Sequence, residues 1–584
     1  MTTAANRFYV VLQHLAFWSA VGALLFILYD VGVNPVAGEN IWVHRACGIA
    51  IAAGFAVGTL RYVPAIELQP FRRTVLIIDL LYLGYLAMAL VRFFQDWDDA
   101  GTLIPIEARL GLGAAAVFFR ELSARRELSW LRLLNPAQLF LTSFLSIILI
   151  GTGLLLLPNA SNGQLSLLDA LFTSTSAVCV TGLIVVDTGS FFAPFGQFVI
   201  AALIQIGGIG IMTVTSYFSY FFKGRASYED QLLLKDLTYA GKISDVFNSL
   251  KRVLLLTFTI ELAGIIIIFF TIDSDHFDNL GQQLFFSVFH GISAFCNAGF
   301  STLENNLYEP FVRFNYPLQL TVAALFILGG LGFPITSNFL KFLSYKMKRN
   351  LLRLETAYTP WMLNINSRIV LATTVILLAA GTLLFYAFEY NNTLAEHQGA
   401  GKWVAAFFGA ATPRTAGFNT IDTTALNLNT IMIVFLLMWI GASPGSTGGG
   451  IKTTTVAVGA LNLMSLAKGK ERIEIFRREI SPLSVRRAFA IMLLSLIVIG
   501  VAVFLIASFD PDKGLLPIAF ECFSAYSTVG LSLGITGTMS EQSKIVLIVL
   551  MFAGRVGMLT ILAALMHRHR HYKYRYPTED ILIN

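Results

Sequence analysis

The stretch Thr412-Pro413-Arg414-Thr415-Ala416-Gly417-Phe418-Asn419 contains a short pattern that the chain repeats: two residues, a glycine and a bulky apolar residue. The same pattern occurs at residues 180–183, 297–300 and 528–531, each time after a short apolar segment rich in Phe, Ser and Ala. The four glycines are 117, 118 and 113 residues apart. Such a fixed period indicates internal repeats, so we expect four equivalent units in this part of the chain.

The backbone is the chemically interesting part of each tetrad. Glycine adopts positive φ without a Cβ penalty, so a short run around it can turn its carbonyls toward a common axis. Inside a membrane, irregular backbone is tolerated only where it is buried in protein or lines a water-filled cavity. Four such loops predict a ring of carbonyl oxygens, which can replace the hydration shell of K⁺. The alternative is four glycine-containing helix ends that merely pack together.

The composition is that of a polytopic membrane protein. Of 584 residues, 56% are hydrophobic and 13% charged, and the mean hydropathy is +0.69. The net charge of +6 does not indicate nucleic-acid binding, because the basic residues lie in short loops beside apolar runs. The first apolar run, residues 15–29, is expected to be a retained helix. Buried positions, rather than a disulfide or metal site, are expected for the four cysteines, which are Cys47, Cys179, Cys296 and Cys522.

Residues 1–135 differ from the repeats and are predicted to form a separate membrane domain. Their apolar segments cover residues 14–30, 42–63, 74–94 and 104–122. All but the last approach the roughly 20 residues that span a bilayer. Four helices before a pore suggest a voltage sensor, which would use Asp79, Arg109, Arg120, Arg125 and Arg126. Residues 110–119 contain no arginine, whereas a sensor needs arginines throughout the span. Packing or anchoring is therefore the other hypothesis.

From residue 136 onward, each unit is predicted to consist of a helix, a pore hairpin and a second helix. The predicted units cover residues 136–225, 226–345, 346–470 and 471–575, with a tail at 576–584. First helices are predicted at 138–157, 253–272, 369–388 and 488–508. Second helices are predicted at 195–222, at 317–343, from 428 and at 544–566. The predicted fold is all-α, with eight spanning helices and four half-length pore hairpins.

The distribution of Lys and Arg predicts the orientation. Four connections, residues 223–252, 341–368, 468–487 and 568–575, contain 23 of the 41 basic residues. The opposite connections contain almost none. By the positive-inside rule, the basic loops and both termini are cytoplasmic. All four pore loops would then enter from outside.

These features resemble the Trk/Ktr/HKT superfamily of potassium transporters. The resemblance covers residues 136–575 and is carried by residues 173–183, 289–300, 412–419, 443–453 and 524–531. It implies a pseudo-fourfold pore, usually in a homodimer, that takes K⁺ up across the plasma (inner) membrane. It also implies a ring of separately encoded cytoplasmic nucleotide-binding regulatory subunits. No organic cofactor is expected in this chain.

The resemblance also assigns the ion contacts, mainly to backbone oxygens. A serine in place of the first-repeat glycine is associated in this superfamily with Na⁺ transport, and this chain has Gly182, which favours K⁺. The implied filter residues are Val180, Thr181, Gly182, Asn297, Ala298, Gly299, Thr415, Ala416, Gly417, Thr528, Val529 and Gly530.

Residues 441–452 are predicted to interrupt the second helix of the third unit. Five glycines and one proline lie in this stretch, and they oppose a continuous helix by several kcal/mol, at about 1 per glycine and about 3 per proline. The polar loop resembles the intramembrane gate of the superfamily; the alternative is a static kink. The predicted gate residues are Gly441, Ser443, Gly445, Gly448, Gly449, Gly450, Lys452 and Arg555. Lys452 is either a cytoplasmic anchor or a charge that faces the pore.

Arg555 is predicted to lie midway along helix 544–566, roughly 16 Å from either end at 1.5 Å per residue. Buried membrane charges usually serve function, and the superfamily has an arginine here that repels cations until it moves or becomes paired. The alternative is a structural ion pair, for example with Glu521. Glu261 and His290 also lie in apolar runs, and we expect structural roles for them.

Two rival functions follow from the same residues. A symporter that couples K⁺ to Na⁺ or H⁺ is one, although nothing here resembles inverted repeats; a less selective K⁺/Na⁺ pathway is its variant. A membrane enzyme or sensor is the other, but no cluster of His, Cys or carboxylates with ligand spacing is visible in the sequence. We therefore expect a transporter and not an enzyme.

Overall fold

A computed structural model of the chain describes residues 2–34, 41–60, 73–94, 106–124, 136–223, 244–350, 363–470, 472–558 and 561–562. This part is almost entirely helical. Helices dominate because the sequence consists of apolar runs, and in a bilayer a helix satisfies its own backbone hydrogen bonds. The predicted all-α fold is confirmed.

Four helices precede the first predicted repeat and pack around a core of small residues that includes Ala16, Ala20, Cys47 and Ala50. The helices are α1 (Thr2–Val33), α2 (Ile41–Leu60), α3 (Arg73–Phe94) and α4 (Ile106–Ala124). The end of α1 is tied to the following part of the chain by Asn159, whose Nδ2 donates to the carbonyls of Val31 (3.0 Å) and Asn34 (2.8 Å).

The voltage-sensor hypothesis is not tested by these helices. The side chains of Asp79 and Arg109, and all of Arg125 and Arg126, lie outside the described part. Arg120 lies in the last turns of α4. The sensor and the anchor therefore both stay hypotheses.

The first two predicted units follow. Helices of the first are α5 (Pro136–Leu155), α6 (Leu167–Val178), α7 (Thr188–Phe191) and α8 (Pro194–Lys223). Helices of the second are α9 (Ser244–Thr271), α10 (Leu280–Phe295), α11 (Pro310–Arg313), α12 (Tyr316–Leu331) and α13 (Phe333–Asn350).

The last two units repeat the order of a long helix, a short helix and a second helical segment. Helices of the third are α14 (Ile365–Glu389), α15 (Ala400–Ala411), α16 (Leu428–Trp439) and α17 (Thr453–Ala467). Helices of the fourth are α18 (Pro482–Phe509), α19 (Leu515–Ser527) and α20 (Glu541–Val556). A two-stranded antiparallel hairpin between α17 and α18 consists of β1 (Glu474–Ile475) and β2 (Arg478–Glu479).

The short helices α6, α10, α15 and α19 precede the four tetrads. They contain 12, 16, 12 and 13 residues, respectively, too few to cross a bilayer. Ser166 and Asn279 cap α6 and α10 by accepting from backbone N–H groups of the first turn. We call these four helices the pore helices.

Three of the predicted second helices are interrupted. The break predicted at 441–452 is confirmed, because α16 ends at Trp439 and α17 begins at Thr453. The continuous helix predicted at 317–343 is wrong: α12 and α13 meet at an angle of 109°, and Gly332 between them has φ +78°. The helix predicted at 544–566 is also wrong, because α20 ends at Val556 and Gly557 has φ +84°. Both breaks fall at a glycine because it adopts positive φ without strain.

Within the described residues, five helices are long and apolar enough to span a membrane, and the bent pair α12 and α13 would make a sixth. In the last two units, the second helical segments α16, α17 and α20 contain only 12, 15 and 16 residues, which is too short to span on their own. These interruptions bring irregular backbone to one place between the units, described next.

Candidate functional site

The four tetrads have the same backbone conformation. Each has a left-handed residue two positions before the glycine: Val180 (φ 55°), Asn297 (62°), Thr415 (75°) and Thr528 (50°). The glycines themselves have φ values of 87°, 72°, 76° and 92°. Positive φ is unfavourable for Val and Thr, which are β-branched, and such strain persists only where the surroundings fix it. The conformation is therefore imposed by the packing around each loop.

The pore helices hold these loops through hydrogen bonds from behind. In the first and fourth loops, the glycine N–H donates to a serine hydroxyl. Gly182 donates to Ser176 and Gly530 donates to Ser524, both at 3.1 Å. In the second and third, a hydroxyl donates to the carbonyl after the glycine, from Ser293 to Phe300 (2.7 Å) and from Thr412 to Phe418 (2.6 Å). Each loop is thus fixed at or beside its glycine.

The four glycines lie in a closed ring whose order is that of the chain. A Cβ placed on Gly182 would overlap the carbonyl oxygen of Ala298, the residue before the second glycine. In the same way, a Cβ on Gly299 would overlap the carbonyl oxygen of Ala416, a Cβ on Gly417 that of Val529, and a Cβ on Gly530 that of Thr181. A side chain at any of the four would displace backbone of the next loop. We call this arrangement the glycine ring.

A cavity of about 450 Å³ opens on one side of the glycine ring, and all four glycines line it. Three carboxylate residues, Asp187, Glu304 and Asp422, also contribute to its wall. Two of them are engaged in local turns, where Asp187 accepts from Ser190 and Asp422 accepts from Thr424. The cavity is therefore an acidic antechamber to the ring.

Residues 441–452 lie directly against the other side of the ring; we call them the glycine-rich loop. The Thr447 hydroxyl donates to Asn297 Oδ1 (3.1 Å), and the Gly449 N–H donates to Thr528 Oγ1 (3.0 Å). A Cβ on Gly448 would overlap the Thr415 hydroxyl. The left-handed residues of three tetrads thus contact this loop with their side chains.

The glycine-rich loop is also bound to the break between α12 and α13. The Ser443 N–H donates to the Gly330 carbonyl (2.9 Å), and the Phe333 N–H donates to the Gly445 carbonyl (3.1 Å). A Cβ on Gly332 would lie 2.8 Å from the carbonyl carbon and oxygen of Gly445, so only glycine fits here. The unexpected bend therefore creates the surface that holds the loop.

Two basic side chains fix the glycine-rich loop. Arg555, 5% exposed, donates to the carbonyls of Thr447 and, at 2.8 Å, Gly207. Lys452 caps the start of α17 and its Nζ donates to the carbonyls of Gly448 (2.7 Å) and Gly449 (3.4 Å). The prediction that Arg555 lies midway along its helix is wrong, because the residue lies in the last turn of α20.

The suggested ion pair of Arg555 with Glu521 is also wrong within the described residues. Both oxygens of Glu521 accept hydrogen bonds from Ser532, Leu533 and Thr536. Arg555 instead joins two segments of backbone, as described above.

The structure brings the predicted site residues together. The twelve predicted filter residues form the glycine ring and its immediate neighbours, and eight of them, the non-glycine ones, are completely buried. The predicted gate residues lie in the glycine-rich loop or contact it. Thr447, Gly330 and Gly332 were missed, although the run Gly329-Gly330-Leu331-Gly332 could have indicated a second break.

The four cysteines are buried. Glu261 accepts from Gln205 at 3.1 Å.

Comparison with known proteins adds the family. Residues 119–573 match the family of cation transport proteins named TrkH. The chain belongs to the TrkH family of membrane cation transporters. The match begins in α4 and includes all four tetrads, the glycine-rich loop and Arg555.

Individual relatives of this TrkH-family chain cover the same part. It is 36% identical to the Ktr system potassium uptake protein B of Vibrio alginolyticus, over 76% of this chain and 94% of that protein. It is 35% identical to the protein of the same name from Bacillus subtilis, over 78% and 98%. It is 34% identical to the potassium/sodium uptake protein NtpJ of Enterococcus hirae, over 77% and 97%. The crystal structure of the potassium transporter TrkH from Vibrio parahaemolyticus shares the fold, with a TM-score of 0.59, 20% identity, and 85% and 97% coverage.

Proposed function

We propose that this TrkH-family chain takes up K⁺ through a selective, channel-like pore. The observation that carries the proposal is the glycine ring, in which four loops with the same pattern of positive φ angles meet in a closed cycle. A ring of backbone oxygens can replace the hydration shell of K⁺. Two relatives named potassium uptake proteins, each about one third identical, support K⁺ as the ion.

The selectivity filter is assigned to the residues of the glycine ring in a pseudo-fourfold arrangement. Its contacts would be backbone oxygens of the left-handed residue and of the residue that follows it in each tetrad. The acidic antechamber supports this assignment, because carboxylates beside a narrow entrance raise the local concentration of cations. The ion would enter from the antechamber.

The gate is assigned to the glycine-rich loop. It lies across the side of the glycine ring opposite the antechamber and is fixed by Arg555 and Lys452. Conduction would require the loop to withdraw, which would break its hydrogen bonds with Asn297 and Thr528. Arg555 would then act as a latch on the closed loop as well as a fixed positive charge beside the pore.

The remaining assignments follow the family. The chain would work as a homodimer in the plasma (inner) membrane with both termini in the cytoplasm, and a ring of nucleotide-binding subunits would control the gate. Residues 1–135 would form an added domain, with the four units at 136–225, 226–345, 346–470 and 471–575. The tail at 576–584 lies outside the described residues.

The test is ion flux into liposomes that contain the purified chain, under K⁺ and then Na⁺ gradients, for the wild type and Gly182→Ser. We expect saturable K⁺ flux in the wild type and a loss of preference for K⁺ in the variant, since any Cβ at Gly182 overlaps Ala298. The matched control is Gly500→Ser, because no atom lies within 4 Å of a Cβ at Gly500.

Equal Na⁺ and K⁺ flux in the wild type would favour a less selective pathway, the alternative that the name of the Enterococcus hirae relative suggests. K⁺ flux that requires a Na⁺ or H⁺ gradient would favour a symporter. Wild-type selectivity in Gly182→Ser would contradict the filter assignment.

A further inference from the structure

Two of the four pore helices carry a titratable side chain at the same position, nine residues before the glycine of the tetrad. These are His290 in α10 and Glu521 in α19. The equivalent residues of the other two pore helices are Thr173 and Phe408. Both His290 and Glu521 are buried, with 1% and 0% exposure.

Each of these side chains binds the serine two residues after its glycine. The Ser532 hydroxyl donates to Glu521 Oε1 at 2.5 Å, and the Ser301 hydroxyl lies 2.9 Å from His290 Nε2. His290 Nδ1 lies 2.9 Å from the Phe286 carbonyl, which can only accept. In the neutral imidazole, Nδ1 therefore carries the proton and Nε2 accepts from Ser301.

Both serines then make the same turn. The Ser301 hydroxyl accepts from the Leu303 N–H at 3.0 Å, and the Ser532 hydroxyl accepts from the Gly534 N–H at 2.8 Å. Each hydroxyl thus acts as donor to the pore helix and as acceptor for the backbone N–H two residues on. Glu521 also accepts from the Leu533 N–H and the Thr536 hydroxyl. We call the two arrangements the outer braces.

The outer braces belong to the second and fourth loops, which are opposite each other in the glycine ring. The equivalent positions after the first and third glycines are Ile184 and Asn419, which have no hydroxyl group. All four residues at this position line the antechamber. A side chain of the pore helix therefore holds every second loop, on the side of the ring that faces the antechamber.

We propose that His290 and Glu521 are positioning residues that set ion specificity at the outer mouth of the glycine ring. They act through Ser301 and Ser532, by holding the backbone after each glycine at a fixed distance from its opposite neighbour. Discrimination between K⁺ and the smaller Na⁺ requires oxygens that stay in place. This inference rests on the proposed function, because it assumes that the ring is the filter.

The test uses the full-length chain in liposomes, with K⁺ and Na⁺ flux measured for Ser301→Ala, Ser532→Ala and the double variant. We expect each single variant to lower the ratio of K⁺ to Na⁺ flux by about fivefold, the factor typical of one lost hydrogen bond. The double variant is expected to lower it further. Ser301→Thr and Ser532→Thr are the matched controls, because they keep the hydroxyl and should keep the ratio.

A second measurement does not need an open gate: the thermal stabilisation of each purified variant by K⁺ compared with Na⁺. The alanine variants should lose the preference for K⁺ in this assay too. A loss of flux for both ions at an unchanged ratio would show a purely structural role and overturn the proposal. A wild type without K⁺ preference in either assay would overturn the proposed function, and the brace proposal with it. If the alanine variants keep the wild-type preference for K⁺, the proposal for His290 and Glu521 is wrong, while the proposed function stands.

Discussion

Under the proposed gate assignment, Arg555 is a latch on the glycine-rich loop. Its guanidinium group joins the carbonyl of Thr447 to that of Gly207 in α8. Hydrogen bonds from a charged donor each contribute about 1.5–3 kcal/mol. In the proposed gate, the loss of both should shift the loop toward the withdrawn state by roughly a hundredfold or more, since each 1.4 kcal/mol is a factor of about ten.

We therefore expect Arg555→Ala to raise the K⁺ flux of the purified chain without any regulatory partner. The measurement is the initial flux into liposomes at equal protein density. Arg486→Ala serves as the control, because Arg486 is exposed at the start of α18. Flux equal to the wild type in a correctly folded Arg555→Ala chain would show that the loop is held without the latch.

His397, in the connection before α15, gives the fold a predictable pH dependence. Burial lowers the pKa of its imidazole below the ordinary value of 6.5, and the positive charges of Arg313 and Lys402 lower it further. The folded state thus prefers neutral His397, with Nδ1 3.2 Å from the Tyr316 hydroxyl. Its contribution to stability is complete above about pH 6.5 and decreases as the pH falls toward the folded-state pKa.

We expect the wild type to lose more thermal stability than His397→Gln between pH 7 and pH 5. Glutamine keeps a partner for Tyr316 but does not titrate. The comparison of unfolding midpoints across this range measures the effect, and identical pH profiles for the two proteins would contradict it.

At the level of helices, an ion pair joins the first and fourth units. Lys544 Nζ, in the first turn of α20, lies 2.7 Å from Asp169 Oδ1 in the first turn of α6. The two side chains are only 13% and 22% exposed, so solvent screens them less than a surface pair. Together with the contact of Gly530 with Thr181, this pair connects the last unit to the first.

We expect a double-mutant cycle of Asp169→Asn and Lys544→Met to give a coupling energy of about 1 kcal/mol in the free energy of unfolding. The control pair is Arg472 and Glu479, which are 3.7 Å apart and 71% and 47% exposed. Its coupling should be near zero. Equal coupling for both pairs would mean that burial of the first pair has no effect.

Much of the helical pattern could be predicted from the sequence, because apolar runs favour membrane helices and clusters of glycine oppose them locally. The positions of the four tetrads and the break after Trp439 followed from such signals. The break at Gly332 was not predicted, and glycine content alone does not decide it, because the run Gly207-Gly208-Ile209-Gly210 has the same composition as Gly329-Gly330-Leu331-Gly332 but lies within α8. What decides it is a partner distant in sequence, the Gly445 carbonyl that accepts from Phe333.

The residues that meet in the glycine ring were named beforehand, but their contacts with the glycine-rich loop were not. The resemblance implies ion contacts for Asn297, Thr415 and Thr528 through backbone oxygens, which stays a prediction, and nothing in the sequence indicated that their side chains contact the glycine-rich loop. The depth of Arg555 was wrong because the end of α20 depends on Gly557, whose positive φ is a property of the fold. Local sequence patterns therefore locate the loops, whereas tertiary contacts determine how the glycine ring and the glycine-rich loop meet.

On the scale of the whole molecule, most of the four N-terminal helices lies before residue 119, where the family match begins. The relatives match 76–78% of this chain but 94–98% of their own length. They thus have almost no sequence beyond the matched part, and the transporter of those proteins is complete without such a bundle.

A chain that starts at residue 125 should therefore insert in the membrane and keep K⁺ flux, with a lower unfolding temperature. The loss of stability is expected because Asn159 would lose its acceptors Val31 and Asn34. Asn159→Ala in the full-length chain isolates this contact from the rest of the bundle. If the shortened chain is folded but inactive, the bundle has a direct part in transport.

The cyclic order of the glycine ring has a consequence for biosynthesis. The ribosome delivers the loops in the order in which they contact one another, and Gly530 must meet Thr181 before the cycle closes. During translation, the first three loops therefore reach the bilayer while one quarter of the wall is still missing. Domains form progressively as the chain emerges, so the nascent protein has no finished permeation path until its last loop arrives. If the glycine ring is the filter, as proposed, a chain whose translation stops before residue 530 would lack one of the four loops that select K⁺, and in the membrane it would be an unselective leak.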